Sequence, residues 1–247
     1  MSTNLLVLLV LGPTAAVVIA IFLVLWHARR STHQAGVAIV SGLILAVWAV
    51  ITTMLARRGF FQQPDPYGAP PIGIILALVL LVLAVCLFVS PSLRGLLTNQ
   101  RNLILLNLWR LEGIVFLMLM ANGQMPALWA LPAGIGDVLV GAAAPWIAAG
   151  VDTPRGRRRA IIFNLFGMAD LVVAVGLGIM TSPGPLQVFY TTPTSELVTN
   201  FPLALVPTFL VPLAWTLHIV SLWQLVGGSW ASDPTIAQRA YPSIKRR

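Results

Sequence analysis

Residues 72–89 read IGIILALVLLVLAVCLFV, 18 residues with no charge and no proline. As an α-helix this run is about 27 Å long, close to the roughly 30 Å hydrocarbon core of a bilayer. Barrel strands are shorter and alternate polar with apolar residues. Backbone in hydrocarbon must satisfy its own hydrogen bonds, so the run reads as a membrane-spanning helix.

Working outward, similar runs cover residues 5–27 and 35–56 before it, and 103–121, 127–149, 160–181 and 203–226 after it. A polar tail occupies 231–247. The expected fold is all-α: one polytopic integral membrane bundle of seven transmembrane helices over residues 1–247. The run at Leu5 has no basic segment ahead of it and no clean small-residue cleavage site after it. It therefore reads as an uncleaved first helix rather than a signal peptide.

Composition agrees. The chain is 58% hydrophobic and only 9% charged, with a mean hydropathy of +0.90. A soluble domain carries about 25% charged residues, enough to coat a single core. The net charge of +8 comes from short basic clusters between the apolar runs. There they orient the chain and meet anionic lipid headgroups, so nucleic acid is not an expected partner. Cys86 is the only cysteine, which excludes an intrachain disulfide and any CxxC zinc motif.

Topology follows from the basic residues. With the N-terminus outside, the cytoplasmic side holds Arg29, Arg30, Arg94, Arg101, Arg155, Arg157, Arg158, Arg159, Arg239, Lys245, Arg246 and Arg247, which is 12 of the 15. Arg57 and Arg58 fall outside, where they can snorkel to the headgroups, and Arg110 falls within the fourth run. This is a strong positive-inside pattern. It places the C-terminus in the cytoplasm of a multi-pass cell-membrane protein, of bacterial inner-membrane type.

Ionisable residues inside spans are costly and mark candidate functional sites. Well inside the spans, the ionisable and amide side chains all fall in the last four runs: Asn107, Arg110 and Glu112 in the fourth, Asp137 in the fifth, Asn164 and Asp170 in the sixth, His218 and Gln224 in the seventh. Counting residues from the run ends puts Glu112, Asp137 and Asp170 near the midplane and His218 nearer the cytoplasm. At 100° per residue Arg110 and Glu112 point to opposite sides of an α-helix, while Asn107 and Arg110 share a face. Arg110 therefore needs a partner on another helix, and Asp137 or Asp170 is the expected one.

Gly134-Ile-Gly-Asp137-Val-Leu-Val resembles Gly167-Met-Ala-Asp170-Leu-Val-Val, each with a glycine one turn before its aspartate. Glycine permits close helix approach, and Gly134, Gly141 and Gly167 are the expected close-packing positions. The likeness is compatible with an inverted repeat or with convergent packing. Pro207 and Pro212 should interrupt the seventh helix and free carbonyls near Leu203 and Thr208, a candidate hinge.

Several chemistries are absent. The only lysine is Lys245, so no retinal Schiff base can form in the last helix. No HExxH, GxSxG or P-loop pattern occurs. His27, His33 and His218 do not match a bis-histidine haem. The leading expectation is a small transporter or channel-like protein, open to proton coupling. Its centre would use Glu112, Asp137 and Asp170, with Arg110 as counter-charge and His218 as relay. Asn107, Asn164 and Gln224 support it. A small solute or ion, like the lipid headgroups, is a candidate partner. Two alternatives stand beside it: an intramembrane enzyme or cofactor or metal binder using Glu112, Asp137, Asp170 and His218, and a membrane sensor or assembly protein whose charges pair structurally. Enzymatic activity, cofactor and oligomeric state are unknown from sequence.

Overall fold

The computed structural model describes residues 3–32, 35–62 and 71–226. His33, the segment 63–70 and the tail with Arg239, Lys245, Arg246 and Arg247 lie outside the described residues. Among the described residues, seven helices are long and apolar enough to cross a membrane. The α-helices are α1 (Thr3–Thr32), α2 (Ala35–Arg57), α3 (Pro71–Val89), α4 (Pro91–Leu96), α5 (Gln100–Leu105), α6 (Ile114–Ala121), α7 (Ala127–Gly150), α8 (Pro154–Thr181) and α9 (Val211–Val226).

The outward faces are apolar. Leu8, Ile44, Phe88 and Trp146 are each more than 60% exposed. This is the surface a bilayer requires and water opposes. The spans α1 to α3 are largely peripheral, whereas α7, α8 and α9 pack with the fourth span into the interior.

Two spans depart from uniform α-helix, the fourth unexpectedly and the seventh where its prolines call for an interruption. The fourth is a continuous rod over Gln100–Ala121, but its middle, Leu106–Gly113, is 3₁₀-helix between α5 and α6. The reason lies across the interface. A Cβ on Gly141 would sit 2.7 Å from the Leu111 nitrogen, and one on Gly134 would sit 2.9 Å from the Gly113 carbonyl oxygen. Backbone meets backbone here, as small residues allow in membranes. The tighter 3₁₀ winding narrows the rod where α7 presses on it. In the seventh span, Val206–Leu210 is π-helix ahead of α9, with Pro207 inside it.

Helix starts and the turn after α6 are closed by capping hydrogen bonds. Asn99 accepts from the Asn102 N–H at the start of α5, and Thr153 accepts from Gly156 N–H at the start of α8. The short loop after α6 is a Schellman turn: Gly123, with φ +66, donates to the Met120 carbonyl, and Gln124 donates to that of Leu119. One end of the bundle is basic. There Arg101 pairs with Asp152 at 3.2 Å, Arg157 donates to the Leu225 carbonyl at the end of α9, and Arg159 lies over the Trp146 ring. At the opposite end Arg57 lies over Phe201, 5.3 Å from the ring centroid.

Candidate functional site

The 3₁₀ segment decides the geometry of the site. At three residues per turn, positions 107, 110 and 113 stack in one line. Arg110 is fully buried and its guanidinium is held from three helices. Nε donates to Asp137 Oδ1 on α7 at 2.6 Å. Nη2 donates to Asp170 Oδ2 on α8. Nη1 donates to the Gly167 carbonyl at 3.3 Å and to His218 Nε2 on α9 at 3.0 Å. Sequence reasoning asked for one aspartate, and the structure supplies both.

From Arg110 the hydrogen bonds run one way. A guanidinium has no acceptor, so His218 Nε2 must accept from it. Nδ1 then carries the proton of the neutral ring and donates to Asn164 Oδ1 at 2.9 Å. Asn164 Nδ2 donates to Ser221 Oγ at 2.8 Å and to the Ala160 carbonyl. Ser221 donates to Gln100 Oε1 at 2.8 Å. Gln100 Nε2 donates to Gln224 Oε1 at 2.7 Å, and Gln224 Nε2 donates to the Leu97 carbonyl at 2.6 Å. The chain thus leads from the buried arginine to the basic end. Each amide orientation follows from the one before it.

The glycines make room for these groups. A Cβ on Gly136 would overlap the Asp170 carboxylate, and one on Gly167 would overlap the His218 ring. A Cβ on Gly113 would overlap Cβ of Asp137. Gly134 and Gly141 face the 3₁₀ segment beside Asp137, as their spacing on α7 predicts. The two G-x-x-D motifs bring both aspartates to one arginine, but their glycines do different work: Gly134 admits a neighbouring backbone and Gly167 an imidazole.

Some expected members stand apart. Glu112 is buried, yet neither carboxyl oxygen has a hydrogen-bond partner among the described residues. Equal depth did not give it a hydrogen bond to the centre, because its direction on the 3₁₀ segment differs from that of Arg110. Asn107 turns back on its own helix and donates to the Leu103 carbonyl at 3.0 Å, at the change from α to 3₁₀ winding. The Leu203 carbonyl expected to be free accepts from Val206 N–H at 2.9 Å. Pro207 lies in the π segment, and Pro212 lies in the first turn of α9, with its carbonyl accepting from Thr216 Oγ1 at 2.8 Å.

Ser221 and Gly113 belong to the site and escaped the sequence reading, whereas Gln100 reads from sequence as part of a polar cap and Gly136 as a neighbour of the glycine face. Ser221 had a signal, since it lies three residues after His218 and three before Gln224. Among the described residues, no three His, Cys, Asp or Glu side chains converge as metal ligands. The guanidinium itself occupies the space between the aspartates and the imidazole.

Two openings reach the carboxylates. A mainly apolar cavity of about 110 Å³ runs from the end opposite the basic one to Asp137, between α3, α7, α8 and the π segment. A shallow niche between α7 and α8, walled by Leu131, Ile135, Leu139 and Phe166, reaches Asp170 from the outer apolar surface.

Residues 69–226 match the family described as "Domain of unknown function (DUF8737)". The chain belongs to this family. The matched segment covers α3 to α9, and with them every residue of the charge centre around Arg110, while α1 and α2 precede it. No curated protein and no solved structure is similar to the chain.

Proposed function

We propose that this protein is a multi-pass membrane sensor or assembly protein whose buried charges form a structural lock, rather than a proton-coupled carrier. One observation carries the reading: the Arg110 guanidinium is held by groups on three helices, and its outgoing chain has fixed polarity. Arginine stays protonated in proteins. Asn164, Gln100 and Gln224 are amides, which hold hydrogen bonds but do not readily hand protons along. A relay at His218 would also require its contact with Arg110 to break, because a proton on Nε2 would oppose the guanidinium N–H. A lock of this kind fixes the α7–α8–α9 half of the bundle in one register.

The orientation we propose places the N-terminus outside and the basic end in the cytoplasm, on the strength of the positive-inside pattern. Arg157 and Arg159 are engaged within the fold. Arg155 and Arg158 are exposed, and we assign them to anionic headgroups of a bacterial-type inner membrane.

A transporter reading keeps one supporting observation. One guanidinium faces two carboxylates, so the centre holds either one carboxyl proton or room for one more cation. Proton flux in sealed proteoliposomes under an imposed pH gradient separates the two. The lock predicts no protein-dependent flux from wild type, and lower thermal stability for D137N/D170N. Flux that disappears in folded D137N/D170N would overturn the lock and restore the carrier.

A further inference from the structure

The cavity at Asp137 carries an inference beyond the lock. Among the described residues lining it, Asp137 is the single ionisable group. The walls are Phe116, Trp129, Ala133, Leu171, Ala174 and Val175. Trp129 is fixed there by its Nε1–H, which donates to the Ala174 carbonyl at 2.7 Å. Asp137 is ten residues along α7 from Ala127, so the floor lies about 15 Å below the start of that helix. Its side chain is 10% exposed. Oδ1 is engaged by Arg110, and Oδ2 has no hydrogen bond among the described residues and is not among the sealed buried atoms. A carboxylate oxygen therefore opens onto the apolar space.

The charges name the missing group. Arg110 serves two aspartates, which leaves the centre one positive charge short when both are ionised. A bare metal ion would find no further side-chain oxygen at this depth among the described lining residues, since the hydroxyls of Ser182 and Thr199 lie beyond the end of α8, at its C-cap and in the 3₁₀ turn Ser195–Thr199. An alcohol would match the walls but not the charge. A cavity of about 150 Å³ is known to admit benzene, so about 110 Å³ suits a thinner apolar group.

We propose that this cavity binds a small amphipathic monocation, a short apolar chain carrying one ammonium group, with the ammonium on Asp137 and the chain along α8. The ammonium donates to Asp137 Oδ2 and completes the charge of the centre. The proposal deepens the sensor reading and rests on it in treating Arg110 as a fixed neighbour. Gly178 helps keep the wall in place, because a Cβ there would come within 3.1 Å of Trp129 Nε1.

The test is calorimetric titration of the full chain in nanodiscs with n-hexylamine, hexan-1-ol and hexanoate, using empty nanodiscs as the blank. The expected result is hexylamine binding at least about tenfold tighter than hexanol, the ratio a hydrogen bond to a charged group supports. Hexanoate should not bind. D137N should abolish the preference for the amine. V175F, which fills the cavity from α8 without touching the charge centre, should weaken hexylamine about tenfold. Equal binding of the three probes, no binding of any, or hexylamine binding unchanged in V175F would overturn the proposal. Proton flux is read separately, so a failure of the lock and a failure of the ligand site remain distinguishable.

Discussion

Arg110 and Glu112 lie two residues apart in the same span, and both are buried, yet they stand in opposite energetic positions. Arg110 has partners on α7, α8 and α9, whereas Glu112 has none among the described residues. Removing one side of a buried ion pair costs about 3–5 kcal/mol, because the charges left behind have no water to turn to. R110M should therefore lose about that much stability and much of its folded yield in nanodisc thermal unfolding. An unpaired buried polar group costs about 1–3 kcal/mol, so E112M should raise stability by an amount of that order. A drop in the melting temperature of E112M would show that Glu112 has a partner or a role. The residue types of the centre were legible in the sequence, because charges in an apolar run stand out. Their pairing was not. Depth can be counted along a chain, but direction depends on winding, and Leu106–Gly113 turns about 120° per residue instead of 100°.

At the scale of elements, glycines decide how closely the helices approach. Gly141 meets the backbone of the 3₁₀ segment, and Gly136 and Gly167 meet the Asp170 and His218 side chains. A Cβ at Gly176 on α8 meets nothing within 4 Å. G141A should cost about 1–3 kcal/mol, since backbone cannot move aside as a side-chain tip can. G176A should be neutral or stabilising by up to about 1 kcal/mol, as in an ordinary helix interior. Equal effects in thermal unfolding would mean that α7 does not pack on the 3₁₀ segment as described. The sequence pointed to Gly134, Gly141 and Gly167 through their place one turn from an aspartate or on its face. Gly113 carried no such mark, because the aspartate it makes room for lies on another helix, and Gly136, next to Asp137 in sequence, makes room for Asp170 of α8 instead. The prolines of the seventh span announced an interruption, and there a three-residue turn just ahead of the π segment gives the Leu203 carbonyl a backbone partner, the Val206 N–H.

For the whole molecule, the seven spans were legible because hydropathy is local: each apolar run carries its own signal, as 72–89 does. The proposed sidedness rests on an arithmetic of basic residues. It is tested by single cysteines in a C86S background. A thiol reagent that does not cross membranes should label R158C only from the cytoplasmic side and S182C only from outside. Labelling with the reverse sidedness would invert the proposed orientation. The long-range order of the molecule, a chain of side chains from Arg110 through His218, Asn164, Ser221, Gln100 and Gln224, joins residues up to 124 positions apart. No local pattern could announce it. Its consequence is global, because it couples the basic end of the bundle to the buried arginine.

The most direct test of the lock is a double-mutant cycle between R110M and D137N/D170N, read by thermal unfolding in nanodiscs. The account predicts that R110M combined with D137N/D170N is clearly more stable than the summed losses allow, because neutral amides no longer leave carboxylates buried without their arginine. Strictly additive losses would contradict it and show that Arg110 and the two aspartates do not hold one another in place.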